Sequence, residues 1–429
     1  MPDPALAAFR ASLDGELFTP GSPGYHTIPL RRGVRPRLVV LCRSVSDVAA
    51  TLAYAAATGL HLTPRNGGHC FAGRSTTDGI VLDVSGLARI SVTEDGTATI
   101  GAGARLGQVY AALHTHGRTL PAGCGPTVGI TGLTLGGGIG LLGRKHGLTC
   151  DRLVGAQVVL PGGRIVECDA RHEPDLFWAL RGAGGGQFGV VTSLRFATVA
   201  EPVAIPLGGR WSGTAVHDLA AAWQSLAPDL PDDITVNLTL DSMPGTADVH
   251  ATLAGASTLD VAATRDALQH LAPEIVMRPG VPYHRLKDAL TGQDPREVRI
   301  RSEFFARELP SRTLALLLAQ LTEPGSTGHR KLAFTAMGGA YNRVAEDATA
   351  FAHRGERFLL EHIGHAHDPW IDRSWATAHA DGSGRVYPNF PDPALDDWAP
   401  AYHAGNRTRL AAVKRAYDPH RFLDFPQAI

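Results

Sequence analysis

The pattern of hydrophobic and polar residues changes at about residue 200. Before that point, short apolar runs of strand length alternate with stretches in which apolar residues recur at helical spacing. Strands are predicted over residues 37–42, 60–63, 80–84, 98–102, 154–160, 164–167 and 190–196. Helices are predicted from a cap at Ser46-Asp47 to Gly59, and over residues 106–114.

After residue 200 glycine becomes sparse, and longer helical patterns alternate with strands. Helices are predicted over residues 218–226, 258–271 and 312–321, the last with Ser311 as N-cap, and strands over 234–240, 249–254 and 331–336. This texture predicts an antiparallel sheet covered by helices, an α+β domain. After about residue 380 the chain is rich in turns, and it ends in a predicted helix over 407–415.

Charge and cysteine usage exclude several classes of protein. The 40 basic residues balance 41 acidic ones, so the basic surface typical of nucleic-acid-binding proteins is not expected. No apolar run reaches the ~18 residues of a membrane-spanning helix, and no signal peptide is recognised at the start. The 5 cysteines are odd in number and form no CxxC pair. We expect a cytoplasmic protein without nucleic-acid or membrane partners; the oligomeric state stays open.

Glycine is the unusual component. Of the 49 glycines, 33 lie in residues 1–200 and 14 of these in residues 101–150. A local excess within apolar sequence indicates tight turns, or backbone pressed against something large. The excess resolves into three blocks, at residues 64–73, 121–147 and 182–189.

The first block, PRNGGHCFAG, follows a predicted strand. Its adjacent glycines allow several backbone N–H groups to converge on an anion such as a phosphate. Arg65 would add charge, and His69 would face the same ligand. The alternative is a plain surface turn that contains a hydrogen-bonded histidine.

In the second block Gly129, Gly132, Gly136 and Gly140 recur at intervals of three to four residues, separated by apolar residues. A flat ligand could lie on such a backbone; a glycine-rich turn in the core is the alternative. The third block contains the letters of a dinucleotide fingerprint, at residues 184–189. A strand, not a helix, is predicted to follow it, which argues against a Rossmann NAD site.

A cluster of histidines gives a different candidate. His362, His365 and His367 lie close enough in sequence to bind a metal. No HExxH-type base accompanies them, so a histidine-rich strand end or loop is the favoured interpretation. A metal-dependent enzyme centred on these residues remains an alternative.

Taken together, the three glycine blocks resemble those of berberine-bridge-enzyme-like FAD-linked oxidases, in the vanillyl-alcohol-oxidase/PCMH flavoprotein superfamily. Residues 338–358 and the tail from 387 to 429 also fit. The resemblance implies a two-domain α+β fold of the PCMH type, with an FAD-binding domain and an inserted antiparallel-sheet substrate domain. It places residues 1–200 and 381–429 in the FAD-binding domain and residues 201–380 in the substrate domain.

The resemblance also implies how FAD would be held. The backbone of residues 65–68 would bind the pyrophosphate, and His69 occupies the position that bonds covalently to the flavin 8α-methyl group. The implied cofactor-binding residues are Arg65, Asn66, Gly67, Gly68, His69, Cys70, Gly73, Cys124, Thr127, Val128, Gly129, Gly132, Leu133, Gly136, Gly137, Gly140, Gly189, Val190, Val191, Tyr387 and Asn389.

Two departures from the family pattern matter. Some members have a second covalent link, from a cysteine directly before Pro-Thr-Val-Gly; here Gly125 fills that position and Cys124 lies one residue early. We therefore favour a single link through His69, with a second link through Cys124 and an inert Cys124 as alternatives. Gln187 stands where the family usually has asparagine. Val128 matches the small residue that leaves room for O₂ in family oxidases.

Glu361 and Tyr387 are the candidate catalytic bases. Glu361 aligns with a catalytic glutamate of the alkaloid-cyclising members, and burial could raise its pKa toward neutrality; an exposed strand carboxylate is the alternative. Tyr387 matches a family tyrosine near the flavin, and Asn389 would contact the flavin ring. Phe390 stands where relatives commonly have tyrosine, which argues against a two-tyrosine mechanism.

The resemblance therefore implies an FAD-dependent oxidase. Its substrate would be a small-molecule alcohol, sugar or amine. The Ala-, Gly- and Arg-rich composition is typical of a bacterial source, and bacterial members of the family often oxidise sugars or modify secondary metabolites. We therefore expect a secondary-metabolite intermediate. A hydride would pass to FAD while Glu361 or Tyr387 takes the neighbouring proton, and O₂ would reoxidise the flavin to give H₂O₂. A flavin-binding protein without turnover is a further alternative.

Overall fold

The computed structural model describes residues 4–28, 33–242, 248–288, 298–324 and 328–429. In the first 200 residues its elements are α1 Pro4–Ala11, β1 Glu16–Phe18, β2 Leu38–Leu41, α2 Val45–Thr58, β3 Leu62–Arg65, β4 Ile80–Asp83, β5 Ile90–Val92, β6 Thr97–Gly101, α3 Leu106–His114, β7 Arg118–Thr119, α4 Ile130–Leu135, α5 Gly143–His146, β8 Leu153–Val159, β9 Ile165–Cys168, α6 Pro174–Ala179, β10 Val190–Ala197 and β11 Val199–Ala200.

The remaining elements are β12 Val203–Ser212, α7 Ala215–Leu226, β13 Ile234–Ser242, β14 Val249–Ser257, α8 Val261–Leu268, β15 Val276–Met277, β16 Val281–Pro282, α9 Tyr283–Asp288, β17 Val298–Phe305, α10 Ser311–Leu321, β18 Arg330–Ala336, β19 Phe358–His365, α11 Trp370–His379, α12 Trp398–His403 and α13 Arg407–Tyr417.

Strands β1 to β11 form three small sheets. The first has the order β1-β2-β4-β3, in which β2, β4 and β3 run parallel and β1 is antiparallel. The second has the order β5-β6-β10-β8-β9 and is antiparallel throughout. Strands β7 and β11 form the third. The core around these sheets also contains Leu410 and Val413 of α13, so the end of the chain packs against its beginning.

Strands β12 to β19 form one large antiparallel sheet, as the sequence predicts for this region. Its order is β15-β12-β14-β13-β18-β19-β17, with β16 also paired to β12. Side chains alternate across each strand, so one face of β13 buries Val236, Leu238 and Leu240 in a core shared with α7, α10 and α11. The opposite face of β13, β18 and β19 does not pack against these helices; its side chains line a cavity that is described below.

A smaller apolar cluster joins the two regions. It contains Leu148 and Cys150 from the first region, Phe304, Met337, Tyr341, Phe351 and Leu359 from the second, and Tyr387 from the tail. Each large apolar side chain buried here contributes about 1.5–3 kcal/mol. The cluster therefore fixes the tail against both regions.

The structure corrects two predicted helix starts. Helix α2 is capped by Ser44, whose hydroxyl accepts from the Asp47 backbone N–H while Asp47 accepts from the Ser44 N–H. Asp47 is therefore the third helical residue and not part of the cap. Likewise Ser311 is the first residue of α10, and Pro310 precedes it at the cap position. The predicted stop at Gly59 is confirmed, with φ of +65°.

None of the described helices is both long and apolar enough to cross a membrane.

Candidate active site

A cavity of about 590 Å³ lies where the glycine blocks, the large sheet and the C-terminal tail meet. All three glycine blocks contribute to its wall. Eighteen of the predicted site residues line it: Arg65, Asn66, Gly67, Gly68, His69, Cys70, Cys124, Val128, Gly129, Gly132, Leu133, Gly140, Gly189, Val190, Val191, Glu361, Tyr387 and Asn389.

The first glycine block extends from the end of β3 across one end of the cavity. Arg65, the last residue of β3, is buried, and its Nε lies 4.0 Å from Asp83 Oδ2. Gly68 has a φ of +74°, and a Cβ there would lie 3.2 Å from the Arg65 guanidinium. Glycine at this position thus lets the loop fold back over a buried cation, as anion-binding loops require.

The first two blocks touch each other through backbone. A Cβ at Gly67 would lie 2.7 Å from both the Gly129 N and the Thr127 O. Between them, Asn66 Nδ2 donates to the Ala102 O at 2.5 Å, and Asn66 Oδ1 is buried without a hydrogen-bond partner among the described residues. A buried acceptor of this kind is costly unless a ligand supplies a donor.

His69 belongs to the first glycine block and faces the second. Its Nε2 is 2.9 Å from the Thr127 hydroxyl, which fixes the orientation of the ring. His69 lines the cavity, and Thr127 does not. Thr127 is thus placed to position the histidine.

The glycines of the second block have different surroundings. A Cβ at Gly132, in α4, meets nothing within 4 Å and would project into the cavity. A Cβ at Gly136 would lie 2.2 Å from Asn389 Oδ1, and one at Gly137 would lie 2.8 Å from the Phe351 ring. Gly136 and Gly137 thus make room for Asn389 and Phe351 and do not themselves line the cavity. Of the other predicted site residues, Gly73 and Thr127 also lie outside its lining.

Tyr387 holds the second glycine block in place. Its hydroxyl oxygen accepts from the backbone N–H groups of Gly138 and Ile139, both at 3.1 Å, and from Asn389 Nδ2 at 3.0 Å. Burial raises the pKa of Tyr387 to about 12, although the three donors favour the phenolate. Tyr387 is therefore neutral at physiological pH and already saturated with donors, which makes it a weak candidate for a base.

Glu361 projects from the large sheet into the cavity. It lies on β19 opposite Ala333 of β18, and its neighbour on the same face, Leu359, pairs with Thr335. No donor from the described residues forms a hydrogen bond with its carboxylate. Burial raises the pKa of Glu361 to about 8, opposed in part by the charge of Lys331. The side chain is partly accessible, but it lines the cavity. A carboxylate in these surroundings suits proton transfer near neutral pH.

Sequence reasoning missed the polar residues beside Glu361. Thr235 and Asn237 of β13 and Thr335 of β18 line the same wall. Strand alternation places Thr235 and Asn237 on one face, but only the pairing of β13 with β18 brings that face to Glu361. No spacing in the sequence could reveal this register.

A buried lysine supports the wall at Cys124. The Lys287 ammonium donates to the Ala122 O at 3.1 Å, and its Nζ lies 3.2 Å from Cys124 Sγ. Desolvation would lower the pKa of Lys287, but Cys124 and Tyr110 raise it above its usual value. The cation therefore stays charged beneath the loop, with Cys124 at the cavity surface.

The end of the chain closes the cavity. The Ile429 backbone N–H donates to Gln187 Oε1 at 3.2 Å, and Lys414 Nζ donates to the Gln187 O at 2.6 Å. The side chain and the backbone carbonyl of Gln187 thus both anchor the tail. Phe390 lines the cavity and packs edge-on against Tyr387 and Phe71, with centroids 5.0 and 5.5 Å apart.

Comparison with known proteins agrees with this geometry. A family model described as FAD binding domain matches residues 36–169, and one described as berberine and berberine like matches residues 386–429. The FAD-linked oxidoreductase YgaK of Bacillus subtilis is 30% identical over 445 residues, which cover 98% of both chains. This chain belongs to the berberine-bridge-enzyme-like family of FAD-linked oxidoreductases.

Other members of the family support the same fold. A chitooligosaccharide oxidase of Gibberella zeae is 30% identical over 441 residues, covering 93% of this chain and 88% of that one. The wild-type BBE-like 1 structure of Physcomitrella patens is 25% identical, with a TM-score of 0.89 over 99% of this chain and 98% of that chain. The predicted PCMH-type α+β fold and the predicted enzyme class are confirmed.

The cavity fits the FAD that binds to this family. The backbone of residues 65–68 and the buried Arg65 guanidinium lie at one end of the cavity, which suits a pyrophosphate. Gly132 leaves open space where any side chain would intrude. These residues, together with Leu133, Val190 and Asn389, would hold the cofactor.

His362, His365 and His367, the candidate metal ligands of the sequence analysis, do not form a metal site among the described residues. His362 is buried on β19, where its Nδ1 contacts the Ser374 hydroxyl at 2.8 Å, and burial lowers its pKa to about 3. His365 is three residues further along the strand and so points to the other face. Of the described residues, these three do not converge on one ion. The alternative of a metal enzyme centred there is not supported.

Alanine at Gly132 and at Gly136 is expected to have opposite effects. Gly132→Ala should fold at least as stably as the wild type, because alanine gains up to about 1 kcal/mol of helix propensity, but should bind less FAD. Gly136→Ala should destabilise the protein by about 1–3 kcal/mol, because its methyl group collides with Asn389. Thermal unfolding and flavin absorbance per chain measure both effects. Full FAD content in Gly132→Ala would contradict the placement of the cofactor.

Proposed function

We propose that the protein is an oxidase that carries FAD on His69 and removes a hydride from a small-molecule alcohol, sugar or amine, with H₂O₂ as the second product. The observation that carries this proposal is Glu361. It is a carboxylate in a cavity, without a hydrogen-bond partner among the described residues, and its pKa of about 8 suits a base. Val128, in the cavity wall, supports an oxidase over a dehydrogenase.

In the proposed reaction Glu361, the pair Tyr387 and Asn389, and bound FAD would have three different roles. Glu361 takes the proton from the substrate hydroxyl or amine as the hydride leaves. Tyr387 and Asn389 keep the second glycine block in its shape through the bonds at Gly138 and Ile139. Bound FAD would supply the hydride acceptor and the route by which O₂ is reduced.

The wall around Glu361 favours a hydroxylated substrate. Thr235, Asn237 and Thr335 present hydroxyl and amide groups on the side of the cavity opposite the glycine blocks. Such groups hydrogen-bond sugar hydroxyls, whereas an apolar alkaloid would leave them unpaired. The chitooligosaccharide oxidase among the relatives supports a carbohydrate as the first class to test.

The proposed arrangement of domains follows from the same contacts. Residues 1–200 and 381–429 would bind FAD, because the tail packs in the core of the first region and lines the cavity. Residues 201–380 would bind substrate through the face of the large sheet that holds Glu361.

Anaerobic mixing with a substrate panel tests this function. Mono- and oligosaccharides, primary alcohols and amines are mixed with the holoprotein, and bleaching of the flavin absorbance is followed. A true substrate bleaches the flavin, and admission of air restores the colour with release of H₂O₂. Failure of every compound to bleach the flavin would favour a flavin-binding protein without turnover. Slow reoxidation by air, with fast reoxidation only by another electron acceptor, would favour a dehydrogenase.

A further inference from the structure

Two histidines and a glutamate converge outside the cavity, where α3, α9 and the segment between β11 and β12 meet. His114 Nδ1 lies 2.5 Å from Glu201 Oε2, and His284 Nδ1 lies 3.0 Å from Glu201 Oε1. The two imidazole rings face each other, with centroids 3.6 Å apart. One ligand atom from each side chain lies within 4.8 Å of the other two.

Two imidazoles and one carboxylate make up a common ligand set for zinc. In such sites three protein ligands leave a further position for water, with bonds of about 2.0–2.2 Å. Tetrahedral bonds of that length place ligand atoms roughly 3.3 Å apart. The nitrogen–oxygen distances here, 2.5 and 3.0 Å, are somewhat shorter than that value, so small rotations of the two imidazole rings would open the site to an ion.

The surroundings of the cluster favour a cation. Glu201 and His284 are mostly buried, with side-chain exposures of 7% and 14%, whereas His114 is 43% exposed and offers an entry path. The His284 backbone N–H also donates to Glu201 Oε1 at 2.8 Å, which orients the carboxylate.

We propose that His114, Glu201 and His284 bind a divalent transition-metal ion of the zinc type, and that the ion ties α3 to α9. The two helices already support the same stretch of the cavity wall. Tyr110 of α3 donates to the Gly123 O at 2.7 Å, and Lys287 of α9 donates to the Ala122 O. The ion would therefore stabilise the wall at Cys124 from outside the cavity, without contact with the reacting groups.

Zinc titration of the holoprotein tests the site. After dialysis against a chelator, the wild type should bind zinc stoichiometrically, and His114→Gln and His284→Gln should each lose at least about 100-fold in affinity. His172→Gln is the matched control, because His172 also pairs with one carboxylate, at 3.1 Å from Asp169, but belongs to no group of three ligands among the described residues. It should bind zinc as the wild type does.

Two further measurements keep the test independent of folding. Saturating zinc should raise the Tm of the wild type and of His172→Gln by roughly 2–5 °C, and that of His114→Gln by none. Copper(II) should give an electron paramagnetic resonance signal coupled to two nitrogens in the wild type and to one in His114→Gln. Equal zinc affinity in the wild type and in a folded His114→Gln, or no zinc shift in the wild type, would overturn the proposal and leave a metal-free carboxylate clamp.

Discussion

Replacing Glu361 by glutamine is expected to slow substrate-dependent flavin reduction by about 10²–10⁴-fold, the range for loss of a general base. Glutamine keeps the size and the hydrogen-bonding capacity of the side chain but cannot accept the substrate proton. Stopped-flow absorbance of the flavin under anaerobic conditions measures the step directly, before O₂ enters. Substrate binding, read from the concentration dependence, should change far less than the limiting rate.

The pH dependence of the wild type identifies the base. Because Glu361 has a pKa of about 8, its active carboxylate form is the minor species at neutral pH. The limiting rate should rise about tenfold per pH unit well below this value and level off above it. Glu361→Gln should lose this rise. A wild-type rate that is flat between about pH 6 and 9 would contradict the assignment.

Tyr387→Phe is the matched control for Glu361. The phenol, with a pKa of about 12, stays neutral across the same range, so its removal should leave the midpoint near pH 8 unchanged. A moderate loss of rate is expected, because three N–H donors lose their acceptor. If Tyr387→Phe abolishes the pH dependence and Glu361→Gln retains it, Tyr387 is the base.

Stability measurements separate loss of catalysis from loss of fold in Glu361→Gln. The folded-state pKa of about 8 lies above the unfolded value of 4.5, so the folded protein holds a proton that the unfolded chain has released. The stability of the wild type therefore falls as pH rises through this window, and glutamine removes that loss. The Tm advantage of Glu361→Gln should grow up to about pH 8 and then stay constant.

Local signals in the sequence predicted much of the fold. Helix α3 has the predicted bounds, and β10 follows the third glycine block as predicted. The pattern failed where residue type does not identify the bonding partner. Asp47 is read as a cap by residue type alone, but it is the third helical residue because Ser44 bonds to its backbone. Strand β17 went unpredicted, since its charged residues, in VRIRSEFF, conceal a strand that is buried on both faces from Ile300 onward.

The site shows the same division between local and distant information. The glycine blocks and His69 could be predicted because each lies within one short segment. The wall of Thr235, Asn237 and Thr335 depends on strand register, and the cluster of His114, Glu201 and His284 joins residues more than 80 positions apart. Lys287 likewise reaches Cys124 from a helix with no motif of its own. Contacts of this kind arise from tertiary packing, which no single-sequence spacing records.

Replacing His69 by alanine is expected to abolish covalent attachment of the flavin while leaving the cavity able to bind it. After acid precipitation, the wild type should give a yellow pellet, and His69→Ala a colourless pellet with FAD in the supernatant. The physical reason is position: His69 lines the cavity beside the first glycine block, with its ring fixed by Thr127.

Cys124→Ser is the matched control, because Cys124 also lines the cavity and serine preserves an acceptor for Lys287. With a single link through His69, Cys124→Ser should keep all of its flavin in the pellet. A pellet that stays yellow in His69→Ala but turns colourless in the double variant would instead assign a link to Cys124. Mass mapping of the flavin-bearing peptide distinguishes the two outcomes, since residues 69 and 124 fall in different proteolytic fragments.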